Sequence, residues 1–385
     1  MKKIPPTWLM VTLLMFPQIV ETIYSPVLPH ISRAFTVNIQ TASQTLSVYF
    51  IAFAIGVVIW GRLCDTLGRR KTMLYGLLTY GIGALLAITT RQFEVLLLAR
   101  VVSAFGAAVG SVVTQTMLRD SYQAAELGKV FSLMGMGISI SPVMGLLAGG
   151  VLAQSLGHTG VFGLLLLLAM VLLLISVKAL PETQPISNQQ LPLWPLINRI
   201  LRDIKIWRSA ALVALFNLML FSYYALAPFI FAGFHMSSVE FGYSGMALAL
   251  GSLMGSLLNN QLLSRGWQAA NLIRLAAILA LLGAAGVCLL QSSLAFLLPM
   301  VCVVLAFGIA LPNILTQALI DYKQEAGSAG ALFGLAYYLM LGVGLSLAGW
   351  LQNLGLVLLL AAGLSAVLCL FNNKSAARFQ LIKGI

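Results

Sequence analysis

Two charged side chains stand inside apolar stretches where charge is costly. Glu21 lies within FPQIVETIYSPVLP (residues 16–29), and Arg100 lies within a second apolar run. A charge in hydrocarbon costs several kcal/mol unless it is paired or wet, so each marks a functional site. Desolvation favours the neutral acid, whereas a neighbouring guanidinium favours the anion. A carboxylate held between those pulls is suited to exchanging a proton or binding a cation. A permanent structural ion pair is the competing reading. A second cluster, GRLCDTLGRRKT (61–72), sets Asp65 four residues before Arg69 and five before Arg70. Its chemistry is that of an ion-pair network. His30, His158 and His235 lack ligand spacing, so no metal site is expected. Cys64, Cys288, Cys302 and Cys369 read as small apolar residues.

The elements that position these groups are membrane spans. The 385 residues are 60% hydrophobic and 8% charged, with a mean hydropathy of +0.98. Soluble domains carry about 25% charged residues. Apolar runs of about 20 residues recur throughout, each enough for one crossing. The short alternating segments of a membrane barrel are absent. The reading is an all-α integral membrane protein with twelve transmembrane helices: 7–29, 42–62, 72–91, 94–118, 127–153, 158–180, 207–233, 240–263, 268–290, 294–319, 326–351 and 354–372. The Lys2-Lys3 start followed by an apolar run is read as part of span 1 rather than a signal peptide.

The formal net charge of +12 does not point to nucleic acid, because the basic residues sit in the connections. One side carries Lys2, Lys3, Arg62, Arg69, Arg70, Lys71, Arg119, Lys129, Lys178, Arg199, Arg202, Lys205, Arg208, Arg265, Arg274, Lys323, Lys374, Arg378 and Lys383; the other carries Arg33 and Arg91. The rich side should be cytoplasmic. Both termini are therefore expected inside, in a bacterial inner (cytoplasmic) membrane. No ATP-binding motif or soluble catalytic domain is visible, so neither an enzyme nor a cofactor is expected.

The halves repeat. Ala104-Phe105-Gly106 returns as Ala306-Phe307-Gly308, and Pro26 as Pro228, both 202 residues on. Asp120 and Gln123 return as Asp321 and Gln324. Gly135, Gly137 and Ser139 return as Gly342, Gly344 and Ser346. Six spans per unit make the repeats parallel, with a site expected between them near mid-membrane. The expected domains are an N-terminal six-helix bundle (1–180), a cytoplasmic linker (181–206), a C-terminal six-helix bundle (207–372) and a basic cytoplasmic tail (373–385). At the same offset Glu21 falls on Tyr223 and Arg100 on Cys302, so the two span charges belong to the first half only.

Gly61, Asp65, Gly68, Arg69 and Arg70 resemble the signature that follows span 2 in the major facilitator superfamily, with Thr66 where that family usually has a basic residue. Arg100 with Gly106 and Gly110 is similar to its span-4 signature. Gly135, Gly137, Ser141, Pro142, Gly145, Gly149 and Gly150 are similar to the glycine–proline motif of antiporters, and span 6 ends in Pro181-Glu182-Thr183. Within the family the chain looks like the twelve-span drug:proton antiporters, most like the bicyclomycin-resistance (Bcr/CflA) branch. Ile23-Tyr24-Ser25-Pro26, Ala227-Pro228-Phe229 and Leu311-Pro312-Asn313 carry that closer likeness.

The resemblance implies a cytoplasmic gate from Gly61, Asp65, Gly68, Arg69, Arg70, Asp120 and Glu182. The second half reads Ser264 and Arg265 at the Asp65 and Thr66 positions, so the lock should be asymmetric. The resemblance also implies that Gly137, Ser141, Pro142, Gly145 and Gly149 accompany antiport; a close-packing stripe explains the same residues. It further places spans 1 and 4 side by side. Glu21 and Arg100 both fall about 10 Å below the outer surface at 1.5 Å per residue, so they can meet. Tyr24, Ser111, Gln115, Asn217, Tyr223, Tyr224, Asn313 and Gln317 are the expected polar lining of a greasy cavity, with helix–helix hydrogen bonding as the alternative for each.

The function expected is proton-coupled efflux of small amphiphilic drugs or metabolites by a monomer. The alternatives are proton-coupled uptake, or export of one metabolite such as a siderophore; a receptor or channel is a further class. The partners are a small-molecule substrate, protons and the lipid bilayer.

Overall fold

The computed structural model describes residues 4–122, 124–184, 193–322 and 326–382. Lys2, Lys3, Gln123, residues 185–192 of the linker, Lys323, Gln324 and Lys383 lie outside the described residues. Thirteen helices follow in order: α1 Thr7–Ile23, α2 Leu28–Ala34, α3 Ile39–Leu67, α4 Arg69–Thr89, α5 Phe93–Ser121, α6 Ala124–Ala179, α7 Leu193–Arg202, α8 Ile204–Gly233, α9 Ser238–Ser264, α10 Ala269–Leu290, α11 Leu297–Ala318, α12 Ala326–Leu351 and α13 Leu354–Ile382. No strand occurs among the described residues.

Among the described residues ten stretches are long and apolar enough to cross a membrane, by length and composition. One of them, Leu133–Ala179, has 47 residues, too many for a single crossing. Gly157 divides it, with φ 65° and ψ −151°, a backbone a side chain would strain. Leu354–Leu370 supplies a further, shorter apolar helix. Twelve crossings result, as the hydropathy pattern expects. α13 continues through most of the stretch read from the sequence as a tail.

Local chemistry sets the helix ends. Asn38 accepts from Thr41 N at 2.7 Å and opens α3. Ser237 and Glu240 form a reciprocal capping box at α9. Span 1 is broken by a 3₁₀ turn, Ser25–Val27, with Pro26 inside it, so the proline bend is present.

The repeat is visible in the packing. α4 lies on α5 and α10 lies on α11. α3 lies on α5 and α9 on α11; α1 lies on α6 and α8 on α12. Each pair recurs as its counterpart one repeat later. The two groups meet where α3 packs on α12 and α6 packs on α9. Hydrogen bonds across that junction gather at the end carrying Asn38. Ser346 Oγ donates to Gln44 Oε1 (2.8 Å), Gln352 Nε2 to Ser43 Oγ (3.1 Å) and Gln40 Nε2 to the Trp350 carbonyl (3.4 Å). Ser25 Oγ donates to the Tyr224 carbonyl at 2.5 Å.

Candidate functional site

Glu21 and Arg100 are brought together deep in the first helix group, on α1 and α5. Their exposures are 2% and 0%. The two interact electrostatically, but Glu21 Oε1 and the Nε, Nη1 and Nη2 atoms of Arg100 are buried with no hydrogen-bond partner among the described residues. The sequence reading permitted a direct pair; in this conformation the guanidinium stacks instead. It lies 3.9 Å from the centre of the Tyr24 ring and 4.5 Å from that of Tyr49. Such contacts are worth about 2 kcal/mol or more when desolvated.

Aromatic side chains extend from this point across both helix groups. The Tyr49 ring is 5.6 Å from Phe50 and 6.1 Å from Phe53. Phe50 meets Phe221 of α8 at 4.5 Å, and Phe53 meets Tyr338 of α12 at 5.0 Å. Tyr338 stands 4.3 Å from Tyr337, and Phe221 stands 5.4 Å from Tyr224. The chain of rings thus runs from the Arg100 stack into α8 and α12. The sequence reading named Tyr24 and Tyr224 but missed Tyr49, Tyr337 and Tyr338. The Tyr337-Tyr338 doublet in an apolar run was the available signal.

The other expected lining residues divide. Ser111 and Gln115 are half-buried on α5, with Gln115 Nε2 donating to Ser111 Oγ at 3.4 Å. Asn217 Nδ2 turns back to the Val213 carbonyl on its own helix (2.8 Å). Tyr223 donates to Ser244 Oγ of α9 (2.5 Å) and stacks on Phe241. Asn313 Nδ2 donates to Asn259 Oδ1 of α9 at 2.6 Å, both residues buried. Tyr223 and Asn313 therefore join helices within the second group. Gln317 is exposed, in a groove with Arg208 and Arg274.

The glycine stripe of α6 packs on α1 beside Glu21. A side chain at Gly145 would meet Thr22 Oγ1, and one at Gly149 would meet the Ile23 carbonyl. Gly137 faces Val11 and Met15 of α1. Ser141 is buried and donates to the Gly137 carbonyl (2.8 Å), one turn before Pro142. The stripe lets α6 approach α1 closely enough to fix the position of the acid.

The predicted charged cluster assembles at the opposite end from Asn38. Arg69 is its buried hub: Nε donates to Asp120 Oδ2 (2.8 Å), Nη1 to the Cys64 carbonyl (2.9 Å), and Nη1 lies 3.3 Å from Asp65 Oδ1. Glu182 caps α4. Its Oε1 accepts from Arg69 N (2.9 Å) and its Oε2 from Arg70 N (3.1 Å), two donors that no carbonyl within the helix can reach. Gly68, at φ 95°, makes the turn, and a side chain there would meet Glu182 Oε2. Arg70 Nη2 donates to the Val177 carbonyl (2.6 Å). Gly61 lies beside Val112 of α5. Asp321, the repeat counterpart of Asp120, is held by the linker instead: Arg199 Nη2 donates to its carbonyl at 3.0 Å.

Among the described residues no three His, Cys, Asp or Glu side chains gather as metal ligands would. His30 Nε2 lies 3.3 Å from Ser238 Oγ, across the junction of the groups.

Comparison with known proteins agrees with this architecture. Residues 10–345 match the Major Facilitator Superfamily. An uncharacterized transporter of Rickettsia bellii (strain RML369-C) is 31% identical over 352 residues, which cover 87% of each chain. The bicyclomycin resistance protein homolog of Haemophilus influenzae (strain ATCC 51907 / DSM 11121 / KW20 / Rd) is 24% identical over 339 residues, 83% of this chain and 82% of that one. A solved D-xylose-proton symporter superposes with a TM-score of 0.73 over 93% of this chain and 96% of its own, at 14% identity, a likeness of fold alone. The family match over residues 10–345 makes the chain a member of the major facilitator superfamily, a multi-pass membrane transporter of small molecules.

Proposed function

We propose that the chain is a proton-coupled exporter of small amphiphilic molecules, working by alternating access between bundles 1–180 and 207–372 as a monomer. Glu21 exchanges the proton, and Arg100 sets the electrostatic setting in which it does so. The observation that carries this reading is the buried Glu21, unpartnered at Oε1 among the described residues, beside an Arg100 whose tyrosine stack continues into aromatic rings of both helix groups. Its neighbour Arg100 stacks on Tyr49, whose companions Phe50 and Phe53 meet Phe221 and Tyr338 of the other bundle, so the acid's surroundings change when the bundles move apart. A group whose surroundings change with conformation can take a proton in one state and release it in the other. The aromatic layer suits a greasy ligand. The resemblance to the bicyclomycin-resistance homolog favours a drug-like substrate.

The basic connections favour a cytoplasmic position, in a bacterial inner membrane, for the Gly68 end, the linker 181–206 and both termini. The hydrogen-bonded Asn38 end is then the outer one, so this conformation is closed to the outside. The Arg69 cluster acts as the inner gate of the first bundle. The test is a substrate screen in proteoliposomes carrying a trapped pH dye. Export by antiport predicts proton movement opposite to the substrate. Substrate flux without any proton movement would contradict it.

A further inference from the structure

The linker helix α7, LWPLINRILR, belongs to neither helix group, and its residues divide among three sides. Leu196 and Ile200, one turn apart, are buried where α7 meets α8 and α12. Trp194 and Leu201, two turns apart, lie on another side, 73% and 57% exposed. Arg202 lies on a third side and is exposed, as is Lys205 just beyond. Arg199 is otherwise occupied: its guanidinium lies 4.4 Å over the ring of Tyr322. The helix is clamped to that point. Asp203 Oδ2 accepts from Tyr322 Oη (2.9 Å), and Lys205 Nζ is 3.5 Å from Asp321 Oδ2.

We propose that α7 is a membrane-surface helix that docks on the anionic headgroups of the cytoplasmic leaflet and ties the end of α11 to that surface. The bilayer is the occupant that the position allows. α8 begins at Ile204, two residues past α7, and is itself a membrane span. Ile204 is 81% exposed at that entry point. A tryptophan on one side and cations beside it form the pattern of an interfacial helix. α7 has no acidic residue to oppose an anionic surface. The repeat gives the clamp its purpose. Asp120 is held by Arg69 of its own bundle, whereas Asp321 takes its cations from the linker. The second bundle, reading Ser264-Arg265-Gly266, has no equivalent of Arg69 and Asp65. The proposal rests on the reading that this end is cytoplasmic.

The test uses the full chain in nanodiscs of phosphatidylcholine alone or with 40% phosphatidylglycerol. Emission from Trp194 is taken as the difference between the native protein and Trp194→Phe, which avoids removing the other tryptophans. Shallow doxyl-labelled lipid should quench that emission at least twofold, and phosphatidylglycerol should cut its quenching by aqueous iodide at least twofold. The double variant Arg202→Gln, Lys205→Gln should lose the phosphatidylglycerol effect while the protein remains monodisperse. Equal iodide quenching in both lipids, no response to doxyl lipid, or a double variant as lipid-sensitive as the native chain would each overturn the proposal. The readout needs no transport, so it stands or falls apart from the export reading. Iodide added to inverted and right-side-out membrane vesicles reads the side independently.

Discussion

Replacing Glu182 by Gln should loosen the start of α4 by a calculable amount. The carboxylate accepts four backbone N–H groups: Arg69, Thr183 and Gln184 at Oε1, all at 2.9 Å, and Arg70 at Oε2, at 3.1 Å. An amide keeps one acceptor oxygen and turns an NH₂ towards the other donor. One charge-assisted bond is lost, worth about 1.5–3 kcal/mol. The negative charge at a helix N-terminus is lost as well, worth about 0.3–1 kcal/mol. Glu182 is exposed, so solvent screening holds both contributions at their lower ends, about 2 kcal/mol. At 1.4 kcal/mol per factor of ten, local opening should rise about thirtyfold. Hydrogen exchange read by mass spectrometry on peptides covering residues 66–74 measures it directly. The first-turn amides of α4 should exchange about thirtyfold faster, and peptides from α10 should not change. A change under threefold at Arg69 and Arg70 would refute the capping argument.

Three further outcomes follow from single contacts. Gly145→Val drives methyl groups into Thr22 and the α1 backbone, and should cost about 1–3 kcal/mol as a lowered melting temperature; Gly163→Val, with nothing within 4 Å, should not. Tyr49→Phe keeps a ring over Arg100 and should transport normally, whereas Tyr49→Ala loses about 2 kcal/mol of stacking, read as lower transport and lower thermal stability. Tyr223→Phe removes the donor to Ser244 Oγ, which keeps its own bond to the Phe241 carbonyl, and should cost about 1 kcal/mol of stability with little change in substrate affinity, because the Tyr223 hydroxyl joins α8 to α9.

Much of this architecture was legible because it is local. Apolar run length reports span number, and Pro26 reports a bend, since a ring that removes a backbone donor acts where it stands. Asp65 and Arg69 are four residues apart, on either side of the Gly68 turn, and so are brought together by local chain reversal. The repeat showed that Glu21 and Arg100 have no counterparts, which singled them out. What stayed hidden depends on how helices cross. Tyr49, Tyr337 and Tyr338 are ordinary residues of apolar runs until α3, α8 and α12 converge. Asn313 reads as a cavity residue until Asn259, 54 positions away, is found against it. The partners of Asp321 come from the linker, which no alignment of the two halves contains.

The central claim is that Glu21 carries the proton. Its most direct test compares the native chain with Glu21→Gln in proteoliposomes, measuring substrate-driven proton movement together with substrate binding across pH. The amide has nearly the same shape and cannot titrate. The native chain should move protons against substrate, and its transport should depend on pH. The variant should still bind substrate but lose both the proton movement and the pH dependence. Proton-coupled transport that is unchanged in Glu21→Gln would contradict the account.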